Sequence, residues 1–139
     1  MQVKDVMTET PTCCSKDSKL QDVAQKMAQE NCGAIPVVES EGSHKLAGMI
    51  TDRDIVIRAV AEGNNPLDMT AGDCMTKATV TTTPDASVED CCNLMEQNQI
   101  RRIPVIDENG GCCGIVSQAD IAMKTSEQAT GELVGAISR

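Results

Sequence analysis

The feature that most constrains the fold of this chain is an internal repeat. The segment VKDVMT at residues 3–8 aligns with AGDCMT at residues 71–76, and Pro36 aligns with Pro104 at the same offset of 68 residues (104 minus 36). Such self-similarity indicates one supersecondary unit used twice. Since a unit of about 60 residues buries only a small core by itself, we expect the two copies to pack together as a pseudo-twofold pair.

Each copy has the pattern of a helix, two strands and a second helix. Apolar residues at i, i+3, i+4 and i+7 predict the first helix, which ends at Gly33, a favoured left-handed cap residue, in copy one and near Asn98 in copy two. The runs AIPVV and RIPVI are each followed by a polar turn and a second short strand, AGMIT or CGIVS, which predicts a strand hairpin. A short extended segment, PTCCS or ATVTT, precedes each copy's first helix.

These elements predict how the chain is divided. We expect repeat 1 over residues 1–62, a linker over 63–70, repeat 2 over 71–125 and a C-terminal helical tail over 126–139. The tail is predicted to fold back as a closing helix because its apolar residues recur at near-helical spacing. These residues are Leu133, Val134 and Ile137.

Composition argues against several classes of partner and against catalysis. The formal charge of −9 repels nucleic acid and anionic lipid, and the absence of Phe, Tyr and Trp removes any aromatic platform for bases. No stretch approaches the roughly 20 apolar residues of a membrane span, so we expect a soluble, cytoplasmic protein. We predict that it is not an enzyme, because the single histidine, His44, lies in a polar stretch and no phosphate loop is present.

Eight cysteines are many for 139 residues, and two interpretations stay open. The first is that cysteine fills a ring-free core as a small apolar residue. The second is a metal or redox role, which requires doublets from distant segments to converge, because adjacent cysteines point in different directions and seldom bind one metal. The doublets are Cys13-Cys14, Cys91-Cys92 and Cys112-Cys113.

The repeated elements TDRD and SQAD also have two interpretations. Each follows an apolar strand and precedes an apolar helical run, which is typical of a capping box: the hydroxyl of Thr51 or Ser117 accepts a backbone N–H, and the carboxylate of Asp54 or Asp120 reaches back. A helix N-terminus is equally a place for phosphate, because its free N–H groups carry partial positive charge. Repetition does not decide between them, since a duplicated helix start duplicates its cap.

The blocks DVMT, GAIPVV and GMITDRDI, followed by DCMT, RRIPVID and GIVSQADI, resemble a pair of CBS domains, often called a Bateman module. The resemblance implies an α/β fold of tandem repeats, each β-α-β-β-α, packed as a pseudo-twofold pair. Members of this family commonly form homodimers and bind AMP, ADP, ATP or S-adenosylmethionine in clefts between the repeats. No cofactor is required, and an adenine nucleotide is the expected ligand.

Carried over by residue, the resemblance implies two ligand sites. Asp54 and Asp120 would bind the ribose hydroxyls, and Thr51 and Ser117 would lie near phosphate. Adenine would be read from the backbone of two strand segments. These are Ala34, Ile35 and Pro36 in the first copy, and Arg102, Ile103 and Pro104 in the second.

We expect the second site to be the stronger one. Arg101 and Arg102 supply local positive charge there, although exposed arginines after a helix also offset its dipole and need no ligand. Arg53 and Arg58 have the same two interpretations.

The predicted function is therefore a regulatory sensor that binds an adenosine-containing ligand and transmits the change to an unidentified protein partner. Two alternatives remain. One is a cysteine-based metal or redox sensor on the same fold without nucleotide binding. The other is a structural dimer that binds partner proteins and takes no small ligand.

Overall fold

The structure is a computed structural model that describes residues 1–77 and 80–126. The helices and strands, in chain order, are α1 (Val3–Val6), β1 (Thr8–Glu9), β2 (Cys14–Ser15), α2 (Leu20–Glu30), β3 (Ala34–Val38), β4 (Leu46–Thr51), α3 (Asp52–Ile55), α4 (Ala71–Cys74), β5 (Thr76–Lys77), α5 (Val88–Asn98), β6 (Arg102–Ile106), β7 (Cys112–Ser117) and α6 (118–126). A π-helical turn, Val56–Val60, continues α3, and a 3-10 turn, Pro66–Asp68, precedes α4.

The predicted α/β repeat is confirmed, with a helix, two antiparallel strands and a second helix in each copy. Of the two predicted extended segments, PTCCS forms β2, while ATVTT includes residues 78 and 79, which lie outside the described residues. The predicted closing helix, with Leu133, Val134 and Ile137, also lies outside them.

The prediction that Gly33 ends the first long helix in a left-handed conformation was wrong. Asn31 takes that role with φ of 51°, and Gln99 does the same after α5 with φ of 52°. The left-handed turn satisfies backbone groups at the helix end: the N–H of Cys32 donates to the Met27 carbonyl at 3.0 Å. Asparagine tolerates this conformation better than most residues, so the helix ends before the glycine is reached.

The two repeats exchange strands. The four-stranded sheet, in the order β2-β3-β4-β5, contains the hairpin of repeat 1 and the short β5 from the start of repeat 2. The three-stranded sheet, in the order β1-β7-β6, contains the hairpin of repeat 2 and β1 from the N-terminus. Each sheet therefore contains the hairpin of one repeat and a short strand from the other repeat. That short strand comes before the first long helix of its own repeat.

The helices next to these strands are exchanged as well. Val3 and Val6 of α1 are buried in the second repeat's core, with Cys91, Ile103 and Val116 among their neighbours. Conversely, Ala71 and Cys74 of α4 are buried in the core of the first repeat. Neither core is complete without the other copy, which explains in physical terms why the repeats pack as a pair.

The glycine of each second hairpin strand permits this exchange. Gly114 lies opposite Glu9, and a Cβ there would lie 2.7 Å from the sulfur of Met7 and 3.1 Å from the carbonyl oxygen of Thr8. A Cβ on Gly48 would overlap the Thr76 carbonyl in the same way. The repeated glycine is thus needed for close backbone approach between the repeats.

Three of the eight cysteines lie in these cores: Cys14 is 4 % exposed, and Cys74 and Cys91 are fully buried. They support the interpretation of cysteine as an apolar filler at those positions. Within residues 1–77 and 80–126, no helix is long and apolar enough to cross a bilayer.

Candidate functional site

Both repeated TDRD and SQAD elements form helix caps. At the start of α3, the N–H of Asp54 donates to Thr51 Oγ1 at 3.0 Å, and the N–H of Thr51 donates to Asp54 Oδ2 at 3.0 Å. At the start of α6, the N–H of Asp120 donates to Ser117 Oγ at 3.0 Å. The return bond from the N–H of Ser117 to Asp120 Oδ2 is longer, at 3.4 Å. The second carboxylate is therefore less firmly committed to its cap.

A cavity of about 430 Å³ opens between the two repeats beside this second cap. Its volume is in the range of small-molecule sites, roughly 300–1,000 Å³. One wall comes from the end of α2 and the start of β3, and the facing wall from β7 and the start of α6. The lining residues are Thr8, Pro11, Thr12, Glu30, Asn31, Cys32, Gly33, Ala34, Pro36, Arg102, Ile115, Ser117 and Asp120.

The cavity brings together five of the predicted site residues and leaves six outside. The five that line it are Ala34, Pro36, Arg102, Ser117 and Asp120. The six that do not are Ile35, Thr51, Asp54, Arg101, Ile103 and Pro104. Ile35 and Ile103 are at most 1 % exposed and pack in the two cores, so their side chains are not available to a ligand.

The cavity draws its residues from both repeats. Arg102 lines it together with Ser117 and Asp120 of the same repeat. In the structure the cap of the second repeat faces Ala34 and Pro36 of the first repeat. The reason is that the sheets of the two repeats pack against each other, so that β3 contacts β7.

The charged residues that line the cavity are Glu30, Arg102 and Asp120, two acids and one base. The hydroxyl of Thr12 donates to Glu30 Oε1 at 2.6 Å, which joins the segment before β2 to the end of α2. The cavity therefore has one net negative charge on its wall, in a chain whose formal charge is already −9. Ligands with many negative charges are disfavoured there.

Sequence reasoning missed most of the first-repeat wall. Thr8, Pro11 and Thr12 belong to the N-terminal segment, which enters the site only because β1 pairs with β7. Asn31 lines the cavity at the left-handed end of α2. An asparagine at the end of an amphipathic run is a sequence signal that could have identified this corner, because asparagine adopts the left-handed conformation more readily than most residues.

Arg58 has a structural role. Its guanidinium donates to the carbonyl oxygen of Cys74 at 3.0 Å and to that of Met75. These carbonyls end α4, where a cation offsets the helix dipole. Of its two interpretations, the structure supports the one that needs no ligand.

A smaller cavity, of about 330 Å³, lies along α2 and contains none of the predicted site residues. In the described part of the chain, no three His, Cys, Asp or Glu side chains converge in a way that would hold a metal ion.

Comparison with known proteins identifies the repeat. The CBS domain matches residues 3–60 and 71–127. Hypoxic response protein 1 of Mycobacterium tuberculosis is 38% identical over 134 residues, covering 96% of this chain and 92% of the relative. The CBS domain-containing protein YhcV of Bacillus subtilis is 39% identical over 137 residues, covering 98% and 94%.

Two solved structures have the same architecture. Hypoxic Response Protein I with two coordinated zinc ions has a TM-score of 0.80 and 37% identity, covering 88% of this chain and 98% of that one. The CBS domain pair of protein MJ0100, in complex with 5-methylthioadenosine and S-adenosyl-L-methionine, has a TM-score of 0.78 and 27% identity, covering 90% and 99%.

Proposed function

This chain belongs to the CBS domain family, and from that premise we propose that it is a regulatory protein that binds an adenosine-containing ligand between its two repeats. The observation that carries the proposal is the composition of the cavity, which joins Ala34 and Pro36 of one repeat to Ser117 and Asp120 of the other. A ligand that touches both walls favours one arrangement of the repeats over another, which is what a sensor requires.

The chemistry of each wall suits one part of an adenosine ligand. Asp120 accepts hydrogen bonds from the two ribose hydroxyls, and such bonds to a charged group contribute roughly 1.5–3 kcal/mol each. Ser117 lies at the N-terminus of α6, where a phosphate or another anionic group is stabilised. The base lies against the backbone of β3 and the side chain of Ile115, since the chain has no aromatic ring to stack on it.

The wall charges select among adenosine ligands. Glu30 and Asp120 outnumber Arg102, so the cavity favours a ligand with fewer negative charges over one with a triphosphate. We therefore expect S-adenosylmethionine or AMP to bind more tightly than ATP. The MJ0100 pair, which holds 5-methylthioadenosine and S-adenosyl-L-methionine, supports this choice.

We propose that ligand binding has a regulatory effect, passed on through an exposed apolar surface, and that no catalytic step takes place. Large apolar side chains are exposed on the π-helical turn and on α6, namely Val56, Ile57, Val60 and Met123. Such exposure marks a surface that is covered in an assembly, which supports a homodimer. A change in the packing of the repeats would reach this surface directly, because the π-helical turn continues α3.

The proposal is tested by measuring the midpoint of thermal unfolding. Far-UV circular dichroism is the probe, because a chain without Trp or Tyr has no useful intrinsic fluorescence. AMP, ADP, ATP and S-adenosylmethionine are compared, with GMP as the control. A ligand at about 100 times its dissociation constant adds roughly 2.7 kcal/mol of stability. A shift with an adenosine ligand and none with GMP supports the proposal. No shift with any of them favours the structural dimer or the thiol-based sensor.

A further inference from the structure

A carboxamide side chain lies at the end of the first long helix in each repeat. Asn31 follows α2 with φ of 51° and ψ of 49°, and Gln99, at the corresponding position, follows α5 with φ of 52° and ψ of 44°. Residues other than glycine are disfavoured in this left-handed conformation, and those that adopt it are frequent at functional sites. Because glycine would adopt it without steric cost, the side chain of Asn31 is a candidate for a function.

Asn31 lines the cavity between the repeats, on the wall that also holds Ala34 and Pro36 of β3. Its side chain is exposed, and within residues 1–77 and 80–126 its amide makes no hydrogen bond. Its backbone, in contrast, is held in place, because its N–H donates to the Met27 carbonyl. A fixed backbone therefore presents an unpaired amide at the wall of the cavity, beside the strand against which the base lies in the proposed function.

The charges at the end of α2 favour a ligand group that donates hydrogen bonds. The last carbonyl groups of a helix carry partial negative charge, and α2 has no basic residue in its last turn. Glu30 adds a carboxylate to the cavity wall, and the hydroxyl of Thr12 donates only to its Oε1. Glu30 has no ion pair in the described part of the chain. Lys26, one turn earlier, lines the smaller cavity and donates to the Cys13 carbonyl.

We propose that Asn31 recognises the 6-amino group of adenine, an inference that rests on the proposed function. Adenine has a donor, the 6-amino group, next to an acceptor, a ring nitrogen. An asparagine amide matches both, since its Oδ1 accepts from the amino group and its Nδ2 donates to the ring nitrogen. Hypoxanthine and guanine have an oxygen at position 6, which the Glu30 carboxylate and the last carbonyl groups of α2 repel. The helix end thus selects adenine, in addition to the backbone of β3.

The test compares three nucleotides that differ at position 6 of the base. AMP has an amino group there, purine riboside monophosphate has a hydrogen, and inosine monophosphate has an oxygen. The wall charges act alike on all three, because the ribose and the phosphate are the same. In isothermal titration, the full-length chain should bind AMP about 10-fold more tightly than purine riboside monophosphate, which lacks the amino donor. Inosine monophosphate should bind more weakly still, since its oxygen meets negative charge.

Asn31→Gly removes the amide and keeps the left-handed backbone, so the variant should fold and melt close to the wild-type temperature. It should prefer AMP over purine riboside monophosphate by no more than about twofold, because the paired amide is gone. Gln99→Gly makes the same backbone change at a residue that does not line this cavity, and it should keep the wild-type preference. Asp120→Ala should weaken all three nucleotides by the same factor, because all three have the same ribose.

Three results would overturn the assignment of Asn31 and leave the proposed function standing, because AMP still binds in each of them. The first is equal affinity of the wild-type protein for AMP and purine riboside monophosphate. The second is a full wild-type preference for AMP in Asn31→Gly, and the third is loss of that preference in Gln99→Gly. If the wild-type protein bound none of the three nucleotides, both the proposed function and this inference would be refuted.

Discussion

Replacing Asp120 by alanine separates ligand binding from helix capping, because the chain has a matched control at Asp54. Both carboxylates accept the N–H of a cap residue through Oδ2, at 3.4 Å for Asp120 and 3.0 Å for Asp54. Asp120 also lines the cavity between the repeats, whereas Asp54 does not. A capping role predicts similar effects for the two variants, and a binding role predicts a loss of affinity for Asp120→Ala alone.

The expected magnitudes are different enough to measure. Loss of a cap interaction costs about 1 kcal/mol of unfolding free energy. Because the capping bond of Asp120 is longer than that of Asp54, Asp120→Ala should destabilise the fold no more than Asp54→Ala does. Loss of two hydrogen bonds from ribose hydroxyls to a carboxylate costs roughly 3–6 kcal/mol of binding free energy. Since about 1.4 kcal/mol corresponds to a factor of ten, Asp120→Ala should weaken binding at least about 100-fold.

Isothermal titration with S-adenosylmethionine and with AMP measures this affinity, and far-UV thermal melts of the apo proteins measure the cost of losing the cap. Asp54→Ala should bind at this cleft as the wild-type protein does and melt slightly lower. Unchanged affinity in Asp120→Ala would refute the assignment of Asp120 to ribose. An equal loss of affinity in both variants would show instead that the effect passes through the fold.

Three further predictions follow from the packing and from the thiols. Gly114→Ala should destabilise the protein by about 1–3 kcal/mol in chemical unfolding, because its Cβ would meet Met7 and the β1 backbone. Gly33→Ala, whose Cβ meets a side-chain carboxylate 3.1 Å away, should cost less, and a larger cost would contradict the exchange of strands as the reason for the glycine. Cys91→Ser should lose about 1–3 kcal/mol because it buries a hydroxyl in an apolar core, whereas Cys92→Ser at an exposed position should be near neutral. Alkylation of Cys13 by iodoacetamide should become faster as pH rises and reach half its maximal rate near the pKa of about 7; a midpoint near 9 would mean that the hydrogen bond from Cys112 and the charge of Lys26 do not act on it.

The elements within each repeat could be predicted because their signals are local. Leu20, Val23 and Met27 lie on one buried face of α2, and Cys91 and Met95 lie on the buried face of α5, as the helical spacing indicated. The hairpins follow from β-branched runs around a turn. The role of Gly33 at the helix end was mispredicted. Asparagine and glutamine, at residues 31 and 99, adopt the left-handed conformation that was expected of glycine.

The exchange between repeats could not be predicted, since it depends on pairing between distant segments. Strand β1 has only two residues, Thr8 and Glu9, both exposed, so it has no apolar alternation to recognise. Its pairing with β7 nevertheless brings Pro11 and Thr12 to the cleft. The unpredicted part of the site is therefore a consequence of one short strand.

Capping and binding are compatible uses of the same residues, and the geometry gives a reason why they coincide. A cap occupies one carboxylate oxygen of Asp120, Oδ2, at the long distance of 3.4 Å, so the side chain can turn toward a ligand at little energetic cost. The bond from the N–H of Asp120 to Ser117 Oγ, at 3.0 Å, still holds the helix start when it does so. A helix that begins at the wall of a cleft needs a cap in any case. A short acid at the third helical position supplies that cap and also places a carboxylate where two vicinal hydroxyls can reach it.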